Sequence, residues 1–258
     1  PVRAEAQSVG SITAISEVDA QVTFGGASGK AVSDASATKK AIVRGIDGGD
    51  GDDEIINHDE LIARAIAAGT VTSRSHAGAK SFFGRTSSMT TAAAALEGSV
   101  DAAGITGGSG NDWIRNLGRV TSVADATLVV ANSSVATARS TFSSAQARAY
   151  SVATAEAKAA SVGISGDDGD DLIENEGAVN TSAIANSSVM ATTVAIASST
   201  FGSEYTEAAS TNYAATDSAA TGITAGAGND RVTNNELVIA EAGGAGDGDG
   251  LGVRGPAR

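Results

Sequence analysis

One segment recurs four times at a constant interval. GIDGGDGDDEIIN begins at Gly45, GITGGSGNDWIRN at Gly104, GISGDDGDDLIEN at Gly163 and GITAGAGNDRVTN at Gly222, each 59 residues after the last with no insertion or deletion. Phe24, Phe83, Phe142 and Phe201 keep the same 59-residue interval and include four of the five Phe in the chain. A fixed period of this kind marks a stack of like units, each burying its apolar face against its neighbours. That excludes a fold built around one unique core.

Between the glycine-rich segments the chain alternates with period two. Val179, Thr181, Ala183, Ala185, Ser187, Val189, Ala191, Thr193, Ala195, Ala197 and Ser199 share one face, and every member is small or apolar. One repeat earlier the opposite face carries Asp125 and Arg139, and in the repeat before that Arg64, Arg74, His76 and Lys80. Charge avoids one face throughout, which is the pattern of a strand with a buried side. After each Phe a Gly or Ser (Gly25, Gly84, Ser143, Gly202) reads as a turn, and alternation resumes from Ala145 to Ala159 and in its equivalents. An Ala-rich helix is the rival for these return segments, since Ala is the best helix former. Dense Ser, Thr and Val, with charges alternating singly, count against it.

The expected fold is all-β: a wide, flat parallel β-solenoid of about four 59-residue coils, with Gly/Asp turns stacked on one edge. Each coil holds a strand of about 20 residues, a turn after the Phe, a return strand and the Gly/Asp turn. The divisions are a partial first coil (1–44), three coils (45–103, 104–162, 163–221), a partial last coil (222–241) and a Gly-rich tail (242–258). Like phases fall into columns, giving a Phe column and an Asn ladder of Asn57, Asn116, Asn175 and Asn234. With only 9 aromatics among 258 residues, the two layers must be close, and each Phe is expected to fill the wider space at the far bend.

The recurring segment fits the nonapeptide GGxGxDxUx, in which U is a large apolar residue. Gly107-Gly108-Ser109-Gly110-Asn111-Asp112-Trp113-Ile114 is the cleanest copy, while the third has Asp167 for the second Gly and the fourth Ala225 for the first. The segment resembles the RTX family of calcium-binding parallel β-roll repeats of secreted bacterial proteins. RTX arrays run the nonapeptide in tandem, whereas here it occurs once per coil and covers about 10 of every 59 residues. The resemblance therefore implies one line of ions on one edge. Ca²⁺ takes six to eight oxygens from carboxylates and carbonyls, and glycines let a turn curl its carbonyls inward. The candidate ligands are Asp50, Asp52, Asp53, Asn111, Asp112, Asp168, Asp170, Asp171, Asn229 and Asp230. The plain alternative is a set of Asp/Gly turns without metal, which leaves four copies in register unexplained. Extra acids in the first and third copies (Asp47, Asp50, Asp167, Asp168) would repel without cations, coupling binding to folding.

Other chemistries are poorly supported. The absence of Cys removes disulfides and thiolate sites, and His58 and His76 are single and out of phase. No nucleophile elbow or phosphate loop is present, so no enzyme activity is expected. A net charge of −13 argues against nucleic acid, and no apolar run approaches the ~18 residues of a membrane-spanning helix. Neither end of the repeat array reads as a cap, so the expected partners are copies of the chain itself, joined head to tail. The expected role is a secreted, calcium-binding structural protein forming an extracellular filament, sheath or surface layer. The alternatives are a stalk segment of a large adhesin, or the calcium-dependent repeat region of an exported enzyme.

Overall fold

A computed structural model describes residues 1–254, with side chains described to 247. Each coil repeats three strands. The front strands are β1 (Val2–Val22), β4 (Leu61–Ser81), β7 (Val120–Ser140), β10 (Val179–Ser199) and β13 (Val238–Arg254). The back strands are β2 (Ala27–Asp50), β5 (Thr86–Ser109), β8 (Ala145–Asp168) and β11 (Glu204–Thr224). Four-residue edge strands follow the Gly/Asp turns: β3 (Glu54–Asn57), β6 (Trp113–Asn116), β9 (Leu172–Asn175) and β12 (Arg231–Asn234). They form three parallel sheets ordered β1-β4-β7-β10-β13, β2-β5-β8-β11 and β3-β6-β9-β12. The chain is thus a parallel β-solenoid, and no helix occurs among the described residues. The short edge sheet is an element that the sequence reading had merged with the turn.

Pairing is in register at the repeat interval: Val2 opposite Leu61, Leu61 opposite Val120, Val120 opposite Val179, and Val179 opposite Val238. A front strand of 21 residues spans about 70 Å at ~3.3 Å per residue, while adjacent coils lie only ~4.8 Å apart. The ribbon is therefore long across and shallow along its axis. The fifth front strand, β13, runs through the segment 242–254, most of the expected Gly-rich tail, and residues 255–258 of that tail lie outside the described residues.

The interior changes composition along the ribbon. At the Gly/Asp edge three strands enclose a wedge of space, filled by Ile55, Leu61, Ile105, Ile114, Val120, Ile164, Ile173 and Val179. Toward the far bend only two sheets face each other, and the apolar core is Ala alone, such as Ala136, Ala138, Ala147 and Ala149, beside buried hydroxyls including Ser88, Thr90 and Ser134. Between them, bulk is complementary. Leu96 lies opposite Gly69 and Leu128 opposite Gly98, where an added Cβ would sit within 3.2 Å and 2.9 Å of the leucine methyls. Because the sheets are close, hydroxyls on one reach the backbone of the other. Ser75 Oγ donates to Ala31 O at 2.7 Å and Ser88 Oγ to Ala77 O at 2.6 Å, so these two buried hydroxyls are satisfied across the gap.

The Asn ladder is present. Asn57 Nδ2 donates to Asn116 Oδ1 at 2.7 Å, Asn116 to Asn175 at 2.7 Å, and Asn175 to Asn234 at 2.6 Å. The Phe column also forms, with rings nearly parallel and centroids 5.1–5.2 Å apart. It stacks outside the bend, however, and does not fill it: Phe83 and Phe142 are 49% and 46% exposed. The Ala layers approach too closely to leave room for a ring. Serine closes the bend instead: Ser81 Oγ donates to Gly25 O at 2.8 Å and accepts from Gly84 N–H at 2.8 Å.

Leu128→Ala leaves a cavity that the flanking strands cannot close, because Gly98 opposite has no side chain to fill it. It is expected to cost about 2–5 kcal/mol, read as a lower midpoint in urea unfolding at unchanged m-value.

Candidate metal centre

All ten candidate ligands lie on one edge, in the turn between back strand and edge strand. The turn is tight because its second and fourth positions are left-handed. Gly49, Gly108 and Gly226 have φ of 94°, 106° and 98°, and Asp167 in the same column has φ 71°. Asp is among the few side chains that tolerate this region, which explains how it replaces glycine in the third copy alone.

Two side-chain ladders run up the edge. In the inner one, Asp53 N–H donates to Asp112 Oδ1 at 2.8 Å, Asp112 N–H to Asp171 Oδ1 at 2.8 Å and Asp171 N–H to Asp230 Oδ1 at 2.9 Å. In the outer one, Asn111 N–H donates to Asp52 Oδ1 at 2.7 Å, Asp170 N–H to Asn111 Oδ1 at 2.9 Å and Asn229 N–H to Asp170 Oδ1 at 2.8 Å. The outer side chains and those of Asp50 and Asp168 are exposed, whereas Asp112 and Asp171 retain only 2% and 3% exposure.

Each inner carboxylate uses only one oxygen in its ladder. The Oδ2 atoms of Asp53, Asp112 and Asp171 are buried without a hydrogen-bond partner. They face the first glycine of their own turn, where an added Cβ would lie 2.9, 2.4 and 2.3 Å from the oxygen at Gly48, Gly107 and Gly166. Burial pushes the Asp171 carboxyl above its ordinary range; the Asp112 backbone hydrogen bond opposes this, and the charges of Asp112, Asp230 and Asp167 add to it. Orphaned, buried anionic oxygens in a column are costly unless a cation or proton meets them.

The donor set is oxygen throughout, carboxylates plus turn carbonyls, which fits a hard cation. Among the described residues no three His, Asp or Glu side chains form a ready-made cluster. A cation at this edge would thus depend on backbone carbonyls and on the exposed acids turning inward.

Some neighbours escaped the sequence reading. Arg115 reaches across a coil to Glu176, with Nη2 3.0 Å from Oε1, and lies 3.9 Å from Glu174. Thr106 Oγ1 donates to Asp47 Oδ1 at 3.1 Å. Both pairs span neighbouring coils, so the repeat interval was the signal that could have found them. At the opposite edge, Lys80 and Arg139 pair in register and line a groove of about 430 Å³ with Phe82 and several hydroxyls. No protein-family model, curated protein or solved structure matches the chain.

The sign of the pH dependence follows from Asp171. A carboxyl raised above its unfolded value binds its proton more tightly when folded, so its contribution is fully present below the unfolded pKa and lost as pH rises through the folded one. In chelator, the chain is expected to melt at higher temperature near pH 4 than at neutral pH, and Asp171→Asn to flatten that slope. A thermal melt series monitored by circular dichroism checks both.

Proposed function

We propose that the chain is a secreted, calcium-binding structural protein: a β-solenoid stapled along its Gly/Asp edge and stacking head to tail with copies of itself into an extracellular filament, sheath or surface layer. The observation that carries this reading is the file of partnerless buried oxygens, Oδ2 of Asp53, Asp112 and Asp171, aligned on one edge. Calcium supplies the positive charge that the file lacks, and its loose geometry of six to eight oxygens suits ligands drawn from two coils. Asp53, Asp112, Asp171 and Asp230 would contribute from inside; Asp50, Asp52, Asp168, Asp170, Asn111 and Asn229 would contribute from outside. Binding that needs two coils in register stabilises the stack that creates it. The resemblance to RTX β-rolls points the same way and brings with it the expectation of secretion.

The assembly half of the reading rests on the register of the stack, in which each front strand pairs in parallel with its equivalent one repeat on. A coil of a second copy presents the same pairing pattern and so would extend the sheets by the same parallel ladder. The Phe column, with centroids 5.1–5.2 Å apart, would continue at the same spacing across such a contact. A head-to-tail contact of this sort does not close on itself, so it generates filaments.

Electron microscopy across a concentration series tests assembly, and melting with calcium or chelator tests the metal. Filaments that lengthen with concentration are expected; particles of one coil stack at every concentration would overturn self-assembly and favour a stalk. Calcium at 100-fold its dissociation constant is expected to add about 2.7 kcal/mol per site, and an unchanged Tm would remove calcium from the reading.

A further inference from the structure

The two ladders lean in opposite directions, and this sorts the spaces between coils into two kinds. Outer side chains reach toward the following coil: Asp52 accepts from Asn111 N–H, and Asp170 from Asn229 N–H. Inner side chains reach toward the preceding coil: Asp112 accepts from Asp53 N–H, and Asp230 from Asp171 N–H. With each coil counted as front, back and edge strand, β1–β3 being the first, the space between the first and second coils therefore receives two carboxylates, Asp52 and Asp112. The space between the third and fourth receives Asp170 and Asp230. Between the second and third, the outer group is the amide of Asn111, so Asp171 is the single carboxylate there.

The rest of the turn follows the same alternation. Positions 47–53 hold Asp47, Asp50, Asp52 and Asp53, and positions 165–171 hold Asp167, Asp168, Asp170 and Asp171. The matching stretches of the second and fourth coils contain one acid each, Asp112 and Asp230. In the tip column Asp50 pairs with Ser109, Ser109 with Asp168, and Asp168 bridges to Ala227, so no acid meets an acid. Alternation separates acid-rich turns by two coil spacings, ~10 Å, about one Debye length at 0.1 M salt. Every space thus lies between one acid-rich and one acid-poor turn, and the lean of the ladders decides how many carboxylates enter it.

We infer that the cation-binding unit is a pair of coils, and that the chain takes one tightly held divalent cation between its first and second coils and one between its third and fourth, with the intervening space a weak site. This rests on the cation reading above and adds its stoichiometry and its spacing. The partnerless Oδ2 of Asp112, on a side chain only 2% exposed that reaches into the space between the first and second coils, is the independent sign that a paired space is built to meet a positive charge. In a stack of copies, Asn229 of one would face Asp53 of the next. The junction thus repeats the weak pattern, and strong sites recur every second coil along the filament.

Equilibrium dialysis against calcium, with metal analysis of the full chain, tests this. The expected result is two tightly bound ions per chain. Asp170→Asn, which places in the third coil the residue already present at Asn111 and Asn229, is expected to leave one. Asn111→Asp, which supplies the missing carboxylate, is expected to bring the count to three. Equal binding in every space between coils, or an Asp170→Asn chain that keeps both ions, would overturn the paired unit while leaving a cation-binding edge intact. No tight ion in any of the three chains would overturn both.

Discussion

In a solenoid whose coils all have the same length, each side chain has its own equivalents as nearest neighbours along the axis, about 4.8 Å away. Every position must therefore hold a residue that tolerates its own kind, or a second kind one coil on. Ala, Val and Ile tolerate themselves by packing. Phe does so by stacking, with centroids 5.1–5.2 Å apart, close to the strand spacing. Asn does so because its amide both donates and accepts, which closes the ladder through Asn116 and Asn175. Charged groups cannot, and on the two sheets most point outward; Lys39 lies between the sheets only because the facing positions, Gly10 and Gly69, have no side chain. The chemistry of the molecule is concentrated where that rule is broken, at the Gly/Asp edge.

The ribbon's section answers to the same constraint. Without insertions a coil cannot adjust its width, so side-chain volume sets the distance between sheets at each point. Large aliphatic residues gather where the edge sheet makes a third wall, and Ala lines the end with two walls. Gly69 against Leu96 and Gly98 against Leu128 conserve summed volume across the gap while shifting it from one sheet to the other. This narrow, Ala-lined end displaces the Phe column to the outside and leaves serine to fasten the bend.

Much of this was legible in the sequence. The interval between Gly45, Gly104, Gly163 and Gly222 defines the register, since a chain without insertions has only one way to stack. Alternation from Val179 to Ser199 defines which face is inside, and the Asn and Phe columns follow. The edge strands were hidden: Ile55, Ile114 and Ile173 look like the end of a motif until a third wall is seen to need them. The position of Phe was misread because one coil's sequence carries no information about how far apart two sheets lie. At the edge, spacing brought the acids together, but only the opposite lean of the two ladders shows which acids share a space.

The contrast between positions 112 and 116 decides how the edge should be understood. Both are buried, both run in ladders at the repeat interval, and both lie beside the same turn. If stacking were the whole requirement, an amide would serve at either place, as Asn116 demonstrates and as Asn111 demonstrates in the outer column. Yet the inner column is Asp in every copy: Asp53, Asp112, Asp171 and Asp230. A carboxylate can only accept, so one oxygen of each is left over, and its burial carries a free-energy cost that an amide would avoid. Asn occurs in the outer column and Asp alone in the inner one, and it is this uncompensated charge, buried at that cost, on which the proposed cation reading rests.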